Sequence, residues 1–230
     1  MTSNHVYDLT VQLIRLYARL MLKLDIRFRG PLSAGPMLFV SNHPSASDPF
    51  LIHLLSSKHL SVLISGNAFA MPLFGYFLQH CRQISVVPGQ GKEALDRAEQ
   101  RLISGQSVGI FPEGLVSPRE GGYHPPRNGA ARLALKTGVP VIPVGIYLPR
   151  DRNLYITSRL SGKQTAAYWY LHGPYGMTIG EPMQFTGEHE DQKLVRSVTT
   201  MIMEKIHELA GDSEKRVSSM PSGERTPAIQ

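Results

Sequence analysis

The apolar positions of the chain follow two periods. Between residues 5 and 27, Leu9, Leu13, Leu16, Tyr17, Leu20 and Leu24 recur at helical spacing. Arg15, Arg19, Lys23 and Arg27 recur every fourth residue on another face. That pattern predicts an amphipathic helix with a basic stripe. Further on, apolar residues gather in short runs: Met37-Leu38-Phe39-Val40, Ser61-Val62-Leu63-Ile64, Ile84-Ser85-Val86-Val87, residues 107–111 and Pro140 to Tyr147. Such runs, bounded by Gly and Pro, predict buried strands. Helical patterns lie between them, at 91–104 with Ala94, Leu95, Ala98 and Leu102 inward, and at Asn128 to Thr137 before Gly138. Strand alternating with helix predicts an α/β fold, a mostly parallel central sheet flanked by helices, preceded by the N-terminal amphipathic helix. A last helix is predicted over 188–210, and the polar tail from Gly211 reads as disordered. The expected organisation is an interface helix at 1–30, one domain at 31–210 and a tail at 211–230.

Three stretches break this rhythm. Residues 59 to 81 hold no Asp, Glu, Lys or Arg, and Met71 to Leu78 within them predicts a short helix. Leu115 to Arg127 is a long loop carrying Pro118, Gly121, Gly122, Pro125 and Pro126, long enough to be a lid or a rim. Residues 149 to 176 mix Arg150, Arg152, Arg159 and Lys163 with Trp169 and four tyrosines. That mixture suits a membrane interface, or equally a twisted hairpin with aromatic cross-strand pairs.

Charge narrows the partners. Lys and Arg total 24 against 18 Asp and Glu, a formal +6. A basic balance admits nucleic acid, an anionic membrane surface or an acidic substrate. The motifs of nucleic-acid binding are absent, so no nucleic-acid partner is expected. The single Cys81 makes neither an internal disulfide nor a zinc site, and no metal or cofactor is expected. Asp8, Arg15 and Arg19 interrupt the apolar N-terminus, so it reads neither as a cleavable signal peptide nor as a membrane span, where each cation would cost about 2.5–3.5 kcal/mol. A basic amphipathic helix lies instead in a membrane interface, or packs on the domain with a solvated basic face.

The chemistry gathers at Ser41-Asn42-His43-Pro44-Ser45-Ala46-Ser47-Asp48-Pro49-Phe50. His43 leaves the carboxyl end of a predicted strand. Asp48-Pro49 has the form of a helix start, with a carboxylate at the cap and proline after it. The turn between them is short enough for Asp48 to fold back on the imidazole, fixing its tautomer and supporting its charge. A second strand ends in Phe111-Pro112-Glu113-Gly114. Ligands of open α/β sheets sit beyond the carboxyl ends of the strands. No Gly-x-Ser-x-Gly elbow is present, so His43 and Asp48 read as a triad whose nucleophile is the hydroxyl of a substrate.

Asn42-His43 with Asp48 after four intervening residues, then Phe111-Pro112-Glu113-Gly114, then Val139-Pro140-Val141-Ile142-Pro143-Val144, resemble three of the four blocks of the glycerolipid acyltransferase family, in order and spacing. The resemblance covers about residues 35 to 185. It implies fatty acyl transfer from acyl-CoA or acyl-carrier protein to a hydroxyl of a lipid acceptor such as 1-acylglycerol-3-phosphate, at the cytoplasmic face of a membrane. His43 would be the base and Asp48 its support. Asn42, Glu113 and Gly114 would bind substrate, Glu113 through an acceptor hydroxyl. The chain departs from the family where it lacks an Arg after the 84–87 strand and a Thr-Arg after Glu113-Gly114, leaving Arg82, Lys92, Arg119 and Arg127 as candidates for an acceptor phosphate. Residues 59 to 81 then read as core or as a wall of an acyl-chain groove. A different hydroxylated lipid or sugar acceptor, a hydrolase and a non-catalytic lipid-binding membrane protein are the alternatives.

Overall fold

The computed structural model describes residues 3–71, 74–118, 120–160 and 163–220. Helix α1 (Ser3–Met21) leads into strand β1 (Leu22–Phe28). Strand β2 (Leu38–Ser41) and helix α2 (Asp48–Leu51) flank the His43 turn, and a 3-10 turn (Ile52–Leu55) extends α2. Strand β3 (Leu60–Ser65), the short helices α3 (Gly66–Phe69) and α4 (Phe74–His80), β4 (Ile84–Val86), α5 (Gly91–Ile103), β5 (Ser107–Ile110), α6 (Gly129–Thr137) and β6 (Val141–Tyr147) follow. A hairpin, β7 (Leu154–Leu160) and β8 (Lys163–Trp169), precedes β9 (Gly173–Ile179) and α7 (Gln192–Ser218).

The seven-stranded sheet runs β1-β9-β6-β2-β5-β3-β4. Strands β2 to β6 are mutually parallel. Strand β9 lies antiparallel to β6 and parallel to β1. Helices α5, α6 and α7 cover one face through Ala98, Leu102, Leu133, Val198, Ile202 and Ile206. The other face packs Phe39, Val62, Ile142 and Met177 beneath α1 and α2. The expected α/β architecture is therefore the observed one. Helix α7 sits so close to β6 that a Cβ on Gly145 would lie 2.1 Å from the Ala210 nitrogen.

Three features differ from expectation, each for a physical reason. The N-terminal helix stops at Met21, and residues 22–28 form a strand paired with β9. Leu22-Lys23-Leu24-Asp25-Ile26-Arg27-Phe28 alternates apolar and polar, a period-two signal masked by the basic repeat. The last helix continues past 210 to Ser218, because Ser213 and Val217 prolong its buried period. Ser213 Oγ donates to the Gly145 carbonyl at 2.9 Å, so a polar residue serves as core there. Residues 221–230 of the expected tail lie outside the described residues. The 149–176 stretch divides: β7 and β8 pair with Tyr155 opposite Tyr168, while β9 joins the main sheet.

The orientation of α1 bears on the two readings of its amphipathic pattern. Tyr7, Val11 and Ala18 face inward and are buried. Leu9, Leu13, Leu16 and Leu20 are 48–68% exposed. The leucine face points away from the protein, not into it.

Candidate active site

Strand β2 delivers His43, and Asn42 fixes the exit. The Asn42 side-chain amide donates to the Ile146 carbonyl and accepts from the Ile146 N–H, both at 2.8 Å, clamping the turn to β6. Asp48 opens α2 but does not cap it; Ser47 holds the cap position, and the carboxylate turns back into the loop. Asp48 Oδ2 lies 3.0 Å from His43 Nδ1 and accepts the Ser45 N–H at 2.8 Å. Asp48 Oδ1 accepts the Tyr175 hydroxyl at 2.7 Å. Asp48 and Tyr175 are fully buried. Burial, reinforced by the adjacent Asp48 carboxylate, drives the Tyr175 hydroxyl well above its usual pKa, so it stays a donor. A buried carboxylate with three donors is satisfied, and it holds the His43 proton on Nδ1. Nε2 is then the basic nitrogen. The imidazole is 13% exposed and stacks on Phe111, with centroids 4.4 Å apart.

The second turn is stitched to the first. Glu113 is buried, and its Oε1 accepts the His43 N–H at 3.1 Å and Ser117 Oγ at 2.8 Å. Its Oε2 accepts the His124 N–H at 2.8 Å. Ser117 N–H donates to the His43 carbonyl at 2.7 Å. Glu113, expected to hold an acceptor hydroxyl, thus organises the His43 turn and both ends of the following loop. Gly114 has φ +68°, and a Cβ there would lie 3.0 Å from the Arg127 guanidinium. The glycine permits the left-handed turn and the close approach of Arg127.

The candidate cations separate. Arg127 sits at the site beside Gly114. Lys92 is exposed in the first turn of α5, on the carboxyl side of the sheet, but beyond β4. Three strand spacings separate β4 from β2, roughly 14 Å. Arg82 precedes β4 and so lies at the opposite, amino edge of the parallel strands. Arg119 lies outside the described residues. Tyr175, Ser45 and Ser117 were not expected at the site. Tyr175 read only as one aromatic among several, and no local signal joins it to Asp48, 127 residues away.

Next to Asp48 an apolar cavity of about 380 Å³ lies between α1, α2 and α4. Ser47, Val11, Ile14, Phe50, Phe74 and Trp169 are among its walls. Phe77, Leu78 and Ile64 from the charge-free 59–81 stretch also line it. Among the described residues no group of three or more His, Cys, Asp and Glu is placed to hold a metal ion.

A family model described as Acyltransferase matches residues 23–147, the span from β1 to β6 that carries His43, Asp48 and Glu113. The chloroplastic 1-acyl-sn-glycerol-3-phosphate acyltransferase of Brassica napus is 32% identical over 117 residues, 50% of this chain and 33% of that protein. The lyso-ornithine lipid O-acyltransferase of Pseudomonas aeruginosa is 33% identical over 135 residues, 56% of this chain and 50% of that protein. The chain thus matches between a third and a half of the length of these relatives. The crystal structure of the 1-acyl-sn-glycerophosphate acyltransferase of Thermotoga maritima superposes with a TM-score of 0.62 at 19% identity, over 96% of this chain and 81% of that one. That last likeness bears on the fold alone.

Proposed function

The chain belongs to the acyltransferase family, and from that premise we propose that it moves a fatty acyl group from a thioester donor, acyl-CoA or acyl-carrier protein, to a hydroxyl of a single-chain glycerolipid such as 1-acylglycerol-3-phosphate. One observation carries the reading: a His43 imidazole held at 3.0 Å by the buried Asp48, in a turn whose Ser47 lines an apolar cavity. The names of the relatives agree in the reaction class and differ in the acceptor.

The geometry supports the following steps. His43 Nε2 takes the proton of the acceptor hydroxyl as its oxygen attacks the thioester carbonyl carbon. Asp48 stabilises the imidazolium, and Tyr175 and the Ser45 N–H hold Asp48 in place. As the C–S bond breaks, the imidazolium proton passes to the leaving thiolate. The apolar cavity takes an acyl chain, and Arg127, beside Gly114, is a cation for an acceptor phosphate. Asn42, Glu113 and Gly114 serve substrate binding by shaping the turns.

Such substrates are embedded in a bilayer. No helix among the described residues is long and apolar enough to cross one. The outward leucines of α1, with exposed Tyr76 and Phe77 on α4, form an apolar face beside the cavity that α1 and α4 enclose. We place the protein on the cytoplasmic face of a membrane, with these side chains inserted and Arg15 and Arg19 at the headgroups. Flotation with anionic vesicles checks this: substituting Leu13, Leu16 and Leu20 by Ser together should lower binding at high salt, and Arg15→Glu with Arg19→Glu at low salt only. A wild type that ignored the vesicles at low salt would remove the membrane from the reading. The reaction itself is tested by crossing several acyl-CoA and acyl-carrier-protein donors with phosphorylated and unphosphorylated acceptors. His43-dependent product is expected, and its absence in every pairing would overturn the assignment.

A further inference from the structure

A second cavity, of about 360 Å³, opens at the same carboxyl edge of the sheet on the α7 side. Asn42 and Pro44, the two chain neighbours of His43, form part of its wall. Glu120 and Tyr123 of the loop, Arg150 and Glu214 of α7 supply its polar groups. The His43 turn therefore forms a ridge between the apolar cavity, which Ser47 lines, and this polar one, which Asn42 and Pro44 line. A pocket of this size holds a polar head of several atoms.

The charges in the wall are unequal. Arg150 donates to the Pro118 carbonyl and, at 3.3 Å, to the Gly122 carbonyl, so its guanidinium fastens the loop. Among the described residues neither Glu120 nor Glu214 forms an ion pair, and both are exposed to solvent. Among the described residues of the wall, two carboxylates without an ion pair stand against one guanidinium, a net negative balance. A phosphate monoester, with nearly two negative charges of its own, is repelled there, while an ammonium group is attracted. Tyr123 gives the loop side a firm anchor, its ring stacked on His207 of α7 with centroids 3.9 Å apart.

Resting on the acyltransferase reading, we propose that this cavity takes the ammonium group of a zwitterionic lysophospholipid, with Glu120 and Glu214 as its acceptors and the phosphate outside, toward Arg127. The acceptor would then carry an amino-alcohol ester on its phosphate in place of a bare monoester. Arg127 and the two glutamates divide the head between them, and the hydroxyl that reacts lies on the ridge at His43.

A matched pair of acceptors tests this: 1-acylglycerol-3-phosphate and its ethanolamine ester, with the same chain and the same free hydroxyl. The whole chain is assayed with one saturating acyl thioester. The ethanolamine ester should be preferred by about fivefold in kcat/KM, the size that two solvent-screened charge contacts give. Glu120→Gln with Glu214→Gln should erase that preference, raising the KM of the ester while the donor KM stays unchanged and the monoester is used as well as before or better. Equal or better use of the monoester by the wild type would overturn the inference while leaving the transfer reaction standing. A preference that survives the double substitution would also overturn it, since the glutamates would not be its cause. Failure of His43-dependent transfer to either acceptor would take down the acyltransferase reading and this inference together.

Discussion

Two buried carboxylates sit at the ends of two neighbouring parallel strands, and they are used in opposite ways. Asp48 faces an imidazole at 3.0 Å, with a tyrosine hydroxyl and one backbone N–H completing its shell. Glu113 faces two backbone N–H groups and a serine hydroxyl, with no basic side chain among these partners. Both carboxylates are satisfied, so satisfaction does not separate them. What separates them is whether a partner can change its charge. A proton arriving on His43 strengthens its interaction with Asp48; the two N–H groups and the hydroxyl bonded to Glu113 offer no such change. In the proposed reaction a buried acid thus takes its role from its partners: Asp48 meets the charge that develops, and Glu113 holds the frame.

Substitution separates the two roles. His43→Ala and Asp48→Asn should act on turnover, lowering kcat by about a thousandfold or more, as loss of the base or of its support does. His43→Ala should leave the unfolding midpoint near wild type, because the ring is partly exposed and, among the described residues, stacks on Phe111 alone. Turnover by folded His43→Ala protein within tenfold of wild type would end the role assigned to the imidazole. Glu113→Gln should act in the other direction. Its amide turns an NH₂ toward one set of N–H or hydroxyl donors, leaving buried groups unpaired at a cost of about 1–3 kcal/mol. The unfolding midpoint should fall and kcat/KM should drop by about tenfold, about 1.4 kcal/mol of lost transition-state positioning. If Glu113→Gln left stability intact and matched His43→Ala in activity, the contrast would collapse and Glu113 would belong to the chemistry.

The difference between these regions also marks what the sequence made legible. The apolar runs of β2, β5 and β6 and the amphipathic periods of α5 and α6 announced the parallel sheet, because strands buried on both faces read as continuous apolar runs. The pairing of His43 with Asp48 is local, closed within one turn, and could be read from spacing. The partners of Glu113 are partly local, but which groups of the loop reach it depends on how the loop returns. The α1 face was unreadable for another reason: a leucine stripe has the same period whether it meets a core or a bilayer, and the inward side used Tyr7, Val11 and Ala18 instead. Tyr175 lay furthest from view. Its place is set by the register of β9, where it pairs with Leu24 of an edge strand that itself read as helix.

Tyr175 offers the smallest expected effect and the finest test of the contrast, because it touches the chemistry only through Asp48. Its hydroxyl donates to Asp48 Oδ1 at 2.7 Å from a fully buried ring. Tyr175→Phe keeps the ring and its packing and removes that one donor. Asp48 then loses one of the three donors that hold its carboxylate against His43. Freer motion of the carboxylate should lower kcat by about threefold to tenfold, within the range of a lost hydrogen bond to a charged group, with the donor and acceptor KM values near wild type. A merely structural tyrosine would lower stability and leave kcat where it was. A wild-type kcat in folded Tyr175→Phe protein would detach Tyr175 from the site, and Asp48, like Glu113, would have to be understood without it.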